Sequence, residues 1–186
     1  MSPSTTTRYS AFTQMLHWTT AILVLVAFIY GPGGPENRVY LSSRDGERMI
    51  HETLGMAVFA ISLLRILWRM LDTAPAPEPM ARWMHISSKA VQGILYLLLL
   101  LVPATAVLGA WFEGHAVVLA TGIQIAPPMA EAHALGATLA EVHGWLGDVI
   151  LWVAGLHAAA AIYHHLVLKD GVLRSMLPAS VLANRK

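Results

Sequence analysis

Five histidines in or beside long apolar stretches have the clearest chemical potential in this sequence. They are His17, His51, His143, His157 and His164. An ionisable side chain inside a membrane span is costly enough that its usual role is functional. A neutral imidazole binds metal ions, and it also exchanges protons near neutral pH. The chain has no cysteine, which excludes thiolate metal sites, iron–sulfur clusters and covalent haem attachment and leaves histidine as the metal ligand.

The spacing of four of these histidines predicts two ligand pairs at two depths. His143 and His157 are 14 residues apart, which on one helix is about 21 Å along the axis and about 40° around it. With helices of alternating direction, His51 meets His143 in the outer half and His17 meets His157 in the inner half. Two opposed imidazoles at each depth suit two haems. A small zinc or copper ion, with bonds near 2 Å, does not bridge that gap.

A small residue follows each of these histidines by four positions, which predicts room for a planar macrocycle. At that spacing a side chain lies on the same helix face, one turn away, where a large group would strike the porphyrin. The four small residues are Ala21, Gly55, Gly147 and Ala161. The competing interpretation is ordinary helix packing, for which membrane helices also use small residues.

Other ionisable residues have less specific interpretations. His164, followed by His165, is expected at the inner end of a span, as a proton shuttle, a contact for a quinone head group or simply a polar helix end. Arg44 and Arg48 precede His51 by seven and three residues; they either attract a small anion, pair with haem propionates or are solvated. Three further histidines are expected to be solvated in connections: His85, His115 and His133.

Composition places these residues in a membrane. Of the 186 residues, 56% are hydrophobic and 12% are charged, and the mean hydropathy is +0.57, whereas an ordinary soluble domain has about 25% charged residues. The net charge of +1 gives no indication of a nucleic-acid partner. The sequence therefore predicts a polytopic protein of the lipid bilayer.

Four apolar stretches are long enough to cross a bilayer core of about 30 Å. The predicted all-α fold is one membrane domain, 1–186, a bundle of helices at about 14–30, 49–68, 91–111 and 142–168. Pro103 is expected to kink the third helix, residues 74–79 form a stiff linker, and residues 114–130 form a surface loop or interfacial segment. The first stretch also resembles a signal peptide, but no small-residue cleavage site follows it, so we expect a retained helix.

Lysine and arginine predict the orientation. They concentrate in the N-terminal tail, the connection after the second helix and the C-terminal tail, so both termini are expected to face the cytoplasm. The first connection is the exception. Its arginines lie on the predicted outer side and are accompanied by acidic residues: Arg38, Arg44 and Arg48 with Glu36, Asp45 and Glu47.

Short motifs along nearly the whole chain combine into a specific pattern. They are Tyr9-Ser10, Leu16-His17-Trp18, Ile50-His51 with Gly55, Arg65-Ile66-Leu67-Trp68-Arg69, Tyr96 with Pro103, His143 with Gly147, Gly155 to Ala160 around His157, and His164-His165 before Lys169-Asp170. In these residues the chain resembles the bacterial cytochrome b561 family of small, four-helix, di-haem cytochromes of the inner membrane. It departs from the family's pattern at Ala11, where members often have Arg, and at Gln92, where many have His, so contacts to haem propionates or quinone are not carried over to those two positions.

The resemblance implies electron exchange between the periplasm and the membrane quinone pool, with the family's ligands at His17, His51, His143 and His157. It specifically implies superoxide oxidation coupled to ubiquinone reduction. Arg44 and Arg48 would then guide the anion, and His164 would deliver protons. A second interpretation is the cytochrome relay subunit of a larger dehydrogenase or hydrogenase, with another periplasmic donor. A third is a haem-free transporter or assembly scaffold that uses histidines for protons.

We expect two b-type haems per purified chain. His51→Ala or His143→Ala should remove the outer haem, and His17→Ala or His157→Ala the inner one, because each iron needs both imidazoles of its pair. A dithionite-reduced minus oxidised spectrum with a haem count measures this. Loss of the same haem from all four variants would contradict the pairing by depth.

Overall fold

Four long helices dominate the computed structural model, which describes residues 8–31, 40 and 42–178. They are α1 (Ala11–Ile29), α2 (Asp45–Leu71), α3 (Arg82–Phe112) and α4 (His133–Tyr163). A 3-10 turn (Ser42–Arg44) precedes α2, a π-helical turn (His164–Leu168) continues α4, and a short α5 (Val172–Met176) follows. Each of the four long helices is long and apolar enough to cross a membrane. The predicted four-helix membrane bundle is confirmed.

The helices extend beyond the apolar segments found in the sequence. α3 begins at Arg82 and α4 at His133, where the sequence predicted starts near residues 91 and 142. With its π-helical turn, α4 runs for 36 residues, or about 54 Å, against a hydrocarbon core of about 30 Å. A charged residue keeps its own helical turn out of the hydrocarbon core, but it does not end the helix. Hydropathy therefore located the part of each helix that crosses lipid.

The bundle is built from two helical hairpins. α1 packs chiefly against α2, and α3 against α4, while α2 and α3 join the hairpins. The junction contains a small apolar core of Val58 from α2, Leu98 and Leu99 from α3 and Ile150 from α4. The linker from residue 73 to 81 is not helical, as its proline-rich sequence predicted. Pro103 lies inside α3, which continues past it.

Glycines allow α3 and α4 to approach closely at one end. A Cβ atom on Gly109 would lie 3.3 Å from the Ala140 amide nitrogen, and one on Gly136 would lie 2.9 Å from the Glu113 amide nitrogen. Backbone atoms cannot move aside as the end of a flexible side chain can. The close contact therefore requires glycine at position 136 and leaves little room for a larger residue at position 109.

The α3–α4 connection, predicted as a surface loop or interfacial segment, contains a small antiparallel hairpin. Strands β1 (Val117–Val118) and β2 (Gln124–Ile125) pair across a turn that includes Gly122, whose φ of +85° favours glycine. The Val118 amide donates to Glu52 at 2.5 Å and the Ala120 amide donates to Thr53 at 2.8 Å. The hairpin is thereby attached to α2 beside His51. We name this end of the bundle the outer end, following the predicted orientation.

At the opposite, inner end, hydrogen bonds join the start of α1 to the end of α2. The Asp72 carboxylate accepts from the hydroxyls of Thr13 at 2.5 Å and Ser10 at 2.9 Å, and these bonds lower the pKa of Asp72. Ser10 also caps α1, since its hydroxyl accepts from the Thr13 amide. The Trp18 indole donates to the Met176 carbonyl at 2.8 Å, which holds α5 against α1.

Gly136→Ala is expected to destabilise the protein, because the added methyl group meets the Glu113 backbone. Overpacking of this kind costs about 1–3 kcal/mol. Thermal unfolding in detergent, followed by circular dichroism, measures the change. Gly93→Ala in α3 is the matched control, since a Cβ there meets nothing within 4 Å, and it should melt at or above the wild-type temperature. Equal melting of Gly136→Ala and wild type would show that the close approach is not needed.

Candidate haem-binding site

At the outer end, α2 and α4 bring the rings of His51 and His143 together. Their ring centroids are 5.9 Å apart and the ring planes are inclined at 83°. The Nδ1 atom of His51 lies 2.7 Å from the Ala27 carbonyl of α1, and Nδ1 of His143 lies 2.8 Å from the Val102 carbonyl of α3. All four helices thus contribute to the outer pair, two with imidazoles and two with carbonyls.

The two carbonyls determine which nitrogen of each ring is available. A carbonyl only accepts, so Nδ1 carries the proton and Nε2 keeps the lone pair that binds a metal. Ala27 is in the last turn of α1, where carbonyls lack helical donors; the amides of Tyr30 and Gly31 go instead to Val26 and Phe28. Nδ1 of His51 donates to this Ala27 carbonyl instead. Such hydrogen bonds commonly orient metal-binding histidines.

At the inner end, α1 and α4 bring His17 and His157 together. Their ring centroids are 6.4 Å apart, with the planes inclined at 66°. The His17 ring also contacts the edge of Trp18, with centroids 5.2 Å apart. The four histidines therefore form the two pairs that helical spacing predicted, and each pair joins a residue of the α1–α2 hairpin to one of the α3–α4 hairpin.

The distances within both pairs fit a metal ligated on two faces. Two metal–nitrogen bonds of about 2 Å, with half a ring on either side, put the ring centres roughly 6 Å apart. Among the described residues no group of three or more histidine and carboxylate side chains converges. Each site thus offers two ligands, and a porphyrin brings the remaining four nitrogens itself.

The small residues beside the outer pair leave space where the macrocycle would lie. A Cβ atom added to Gly55 or Gly147 would meet nothing within 4 Å. Both glycines follow their histidine by one helical turn and therefore lie on its face. The residues present at the outer pair thus fit a haem in ligand distance, ring tautomer and clearance.

Arg48, expected to help guide an anion, is paired with two carboxylates. Its guanidinium lies 2.8 Å from Asp45 and 3.0 Å from Glu52, and its side chain is 11% exposed. It also lies over the Tyr40 ring, 5.3 Å from the centroid. Arg44 lies in the preceding 3-10 turn. The Arg48–Glu52 pair could have been predicted from the sequence, because residues at positions i and i+4 are neighbours on a helix.

Tyr40 and His115 form a stacked pair near Arg48. Their ring centroids are 3.5 Å apart, so His115 is in a ring contact, whereas the sequence predicted a solvated side chain. Burial, followed by the charge of Glu52, raises the pKa of Tyr40 to about 12. His133, by contrast, is exposed beside Glu131 at 3.3 Å, and His85 is half-buried within α3.

His164 lies in the π-helical turn at the inner end and has a carboxylate partner. Its Nδ1 atom is 2.5 Å from Asp170. Lys169, with a φ of 56°, turns the chain so that Asp170 returns towards the helix. The Nδ1 atom of His165 is buried and has no hydrogen-bond partner in the described part of the chain. Sequence reasoning missed Asp170, because neither the π-helical turn nor the left-handed residue has a clear sequence signal.

A cavity of about 400 Å³ lies beside α1 and α4. Its lining is mainly apolar and aromatic, with one carboxylate: Phe28, Asp148, Leu151, Trp152 and Gly155. Trp152 is 82% exposed, so this wall lies on the outside of the bundle. The cavity is large enough for a small-molecule head group.

The family comparison decides the class of this paired-histidine bundle. The family model described as "Prokaryotic cytochrome b561" matches residues 8–179. The chain belongs to the prokaryotic cytochrome b561 family. As a cytochrome b561 it is a multi-pass bacterial membrane protein of electron transfer, and the family implies b-type haem as the cofactor.

Curated relatives match the chain over almost their whole length. "Cytochrome b561 homolog 2" of Escherichia coli (strain K12) is 27% identical and covers 95% of each chain. "Probable superoxide oxidase CybB" of Yersinia pestis is 30% identical over 92% of this chain and 96% of its own. "Cytochrome b562" of Cereibacter sphaeroides is 31% identical over 91% and 94%. The similarity covers all four helices of this cytochrome b561.

Gly147→Leu is expected to remove the outer haem while the protein still folds, since the leucine would occupy the face on which a macrocycle would lie and its Cβ meets no protein atom within 4 Å. Haem content per chain should fall by about half, with helical content unchanged by circular dichroism. Gly93→Leu is the matched control, because its Cβ is equally free and lies on α3, which has no ligand histidine. Full haem content in Gly147→Leu would contradict the assigned face.

Proposed function

We propose that this cytochrome b561 binds two haems, one at each histidine pair, and passes electrons from superoxide at the outer end to ubiquinone. The observation that carries the proposal is the pair of facing imidazoles at each of two depths in one bundle. Histidines on both faces leave no open position on the metal, so such a haem exchanges electrons and forms no bond to substrate.

The proposed reaction balances with two superoxide ions for each quinone. Each superoxide loses one electron and becomes dioxygen, and two electrons with two protons convert ubiquinone into ubiquinol. The Ala27 and Val102 carbonyls keep the outer imidazoles in the tautomer that binds metal. In this proposal both termini face the cytoplasm, and His164, which is paired with Asp170, delivers protons at the inner end.

Two observations support the choice of superoxide as the donor. The Yersinia pestis relative at 30% identity carries the name of a probable superoxide oxidase. The outer end also carries Arg44 in the turn before α2. In this proposal Arg44 and Arg48 together guide the anion, and Arg48 also orders the start of α2 through its pairs with Asp45 and Glu52. Arg38 lies outside the described residues.

The membrane setting supports a quinone as the acceptor. Ubiquinone is dissolved in the bilayer and reaches the protein from the side. Because His164 lies at the end of the bundle that holds the inner histidine pair, this proposal assigns quinone reduction to the inner end, apart from the cavity that Phe28 and Asp148 line beside the outer pair.

The purified cytochrome is expected to accelerate superoxide decay in the presence of ubiquinone. Arg44→Glu should slow the decay severalfold at low ionic strength, because it repels the anion, and added salt should narrow the difference. Pulse-generated superoxide with absorbance detection measures the rate. Arg82→Glu, an exposed charge change at the opposite end, is the control and should leave the rate unchanged.

Two outcomes would contradict parts of this proposal. A rate unaffected by Arg44→Glu at every salt concentration would remove Arg44 from the donor site. A purified protein that contains both haems, is inert towards superoxide and regains electron transfer with a co-purifying soluble subunit would instead establish the relay function within a larger dehydrogenase or hydrogenase.

A further inference from the structure

Helix α2 has an ionisable residue at each of two depths, with the same spacing as the two paired histidines of α4. Arg65 follows His51 by 14 residues, the same separation as between His143 and His157, so it lies about 21 Å deeper and about 40° around the helix. The face between them is buried: Val58 is 5% exposed and Ser62 is 0% exposed. Arg65 therefore lies on the inward face of α2, at the level of the inner pair.

The contacts of Arg65 agree with this placement. Its guanidinium carbon lies over the Tyr96 ring of α3, 5.4 Å from the ring centroid, and the Tyr96 side chain is its polar neighbour. The Arg65 charge interacts electrostatically with both His17 and His157. Each of the four helices thus contributes one side chain to the inner site: His17, Arg65, Tyr96 and His157.

An arginine at this position requires an anion. A charge within a membrane span is costly and is normally paired. In the part of the chain that the structure describes, the polar partner of Arg65 is the neutral Tyr96, and no carboxylate is paired with it. A guanidinium offers a planar fork that matches a carboxylate with two hydrogen bonds. Arg69, one turn on, is exposed and bonds the Asp72 carbonyl, so the two arginines have different surroundings.

We propose that Arg65, positioned by Tyr96, binds a propionate carboxylate of the inner haem and raises the reduction potential of that haem relative to a neutral side chain. A positive charge close to the iron favours the reduced state, because reduction adds an electron. The inner haem thereby becomes a better acceptor for electrons from the outer one. This inference rests on the proposed two-haem arrangement, and it requires neither superoxide nor quinone as substrate.

The test is a redox titration of single-haem proteins. His51→Ala leaves the inner haem, and Arg65→Gln in that background should lower its equilibrium constant for reduction at least tenfold, a fall of 59 mV for one electron. His17→Ala leaves the outer haem, and the same substitution there should have a much smaller effect, since the charge is about 21 Å away. Arg69→Gln is the matched control and should leave both potentials unchanged.

Two further variants keep the test decisive. Arg65→Lys retains the charge and loses the two-pronged pairing, so it should lower the inner potential by less than Arg65→Gln, and it serves if the glutamine variant fails to accumulate. Tyr96→Phe should produce a small shift in the same direction, through lost positioning. Unchanged inner potentials in Arg65→Gln, or in Arg65→Lys where only that variant accumulates, overturn the proposal.

The source of the anion is tested with the same proteins. If Arg65 binds the propionate, the shift persists in detergent-purified, quinone-free protein. A shift that develops only when ubiquinone is added would assign the arginine to a quinone oxygen and overturn the propionate assignment. A wild-type chain with fewer than two haems would refute the proposed function itself, which is a result distinct from two haems with unmoved potentials.

Discussion

Each histidine pair joins the two helical hairpins of the bundle, and the rest of the structure depends on this connection. His17 and His51 belong to the α1–α2 hairpin, while His143 and His157 belong to α3–α4. Direct packing between the hairpins is concentrated in the small core around Val58, Leu98 and Ile150. A metal held by one histidine from each hairpin would cross-link the hairpins, so the proposed haem binding would be coupled to assembly of the bundle.

The backbone supplies more of the outer site than its histidines suggest. The Ala27 carbonyl is available because α1 ends there, and the Val102 carbonyl belongs to the residue before Pro103. Both accept from Nδ1 of a ligand histidine. Two backbone carbonyls, one at the end of α1 and one within α3, therefore determine which ring nitrogen faces the partner. Side-chain substitutions at these two positions would leave the acceptors in place.

Much of this arrangement could be predicted from the sequence, because helical periodicity and alternating helix direction are strong constraints in a membrane. These two constraints were enough to predict the four membrane spans and which histidines lie together. Helix ends were less predictable: hydropathy detects hydrocarbon, whereas α3 and α4 continue into polar surroundings. The His164–Asp170 contact depends on the left-handed Lys169, and the stacking of His115 on Tyr40 depends on two distant segments meeting. The position of Arg65 could have been predicted, because it follows His51 by the same 14 residues that separate His143 and His157. Arginines near the end of the second helix were interpreted only as indicators of membrane orientation.

The contact between α5 and α1 has a consequence for biogenesis. α5 is the last helix described, and its Met176 carbonyl and the Ser175 carbonyl beside it accept hydrogen bonds from Trp18 and Gln14 of the first helix. These bonds cannot form until α5 has left the ribosome, by which time the translocon has already received α1. His17 lies between Gln14 and Trp18 in sequence, so these contacts beside the inner histidine pair form later than those of the outer pair, whose residues are all synthesised before α5.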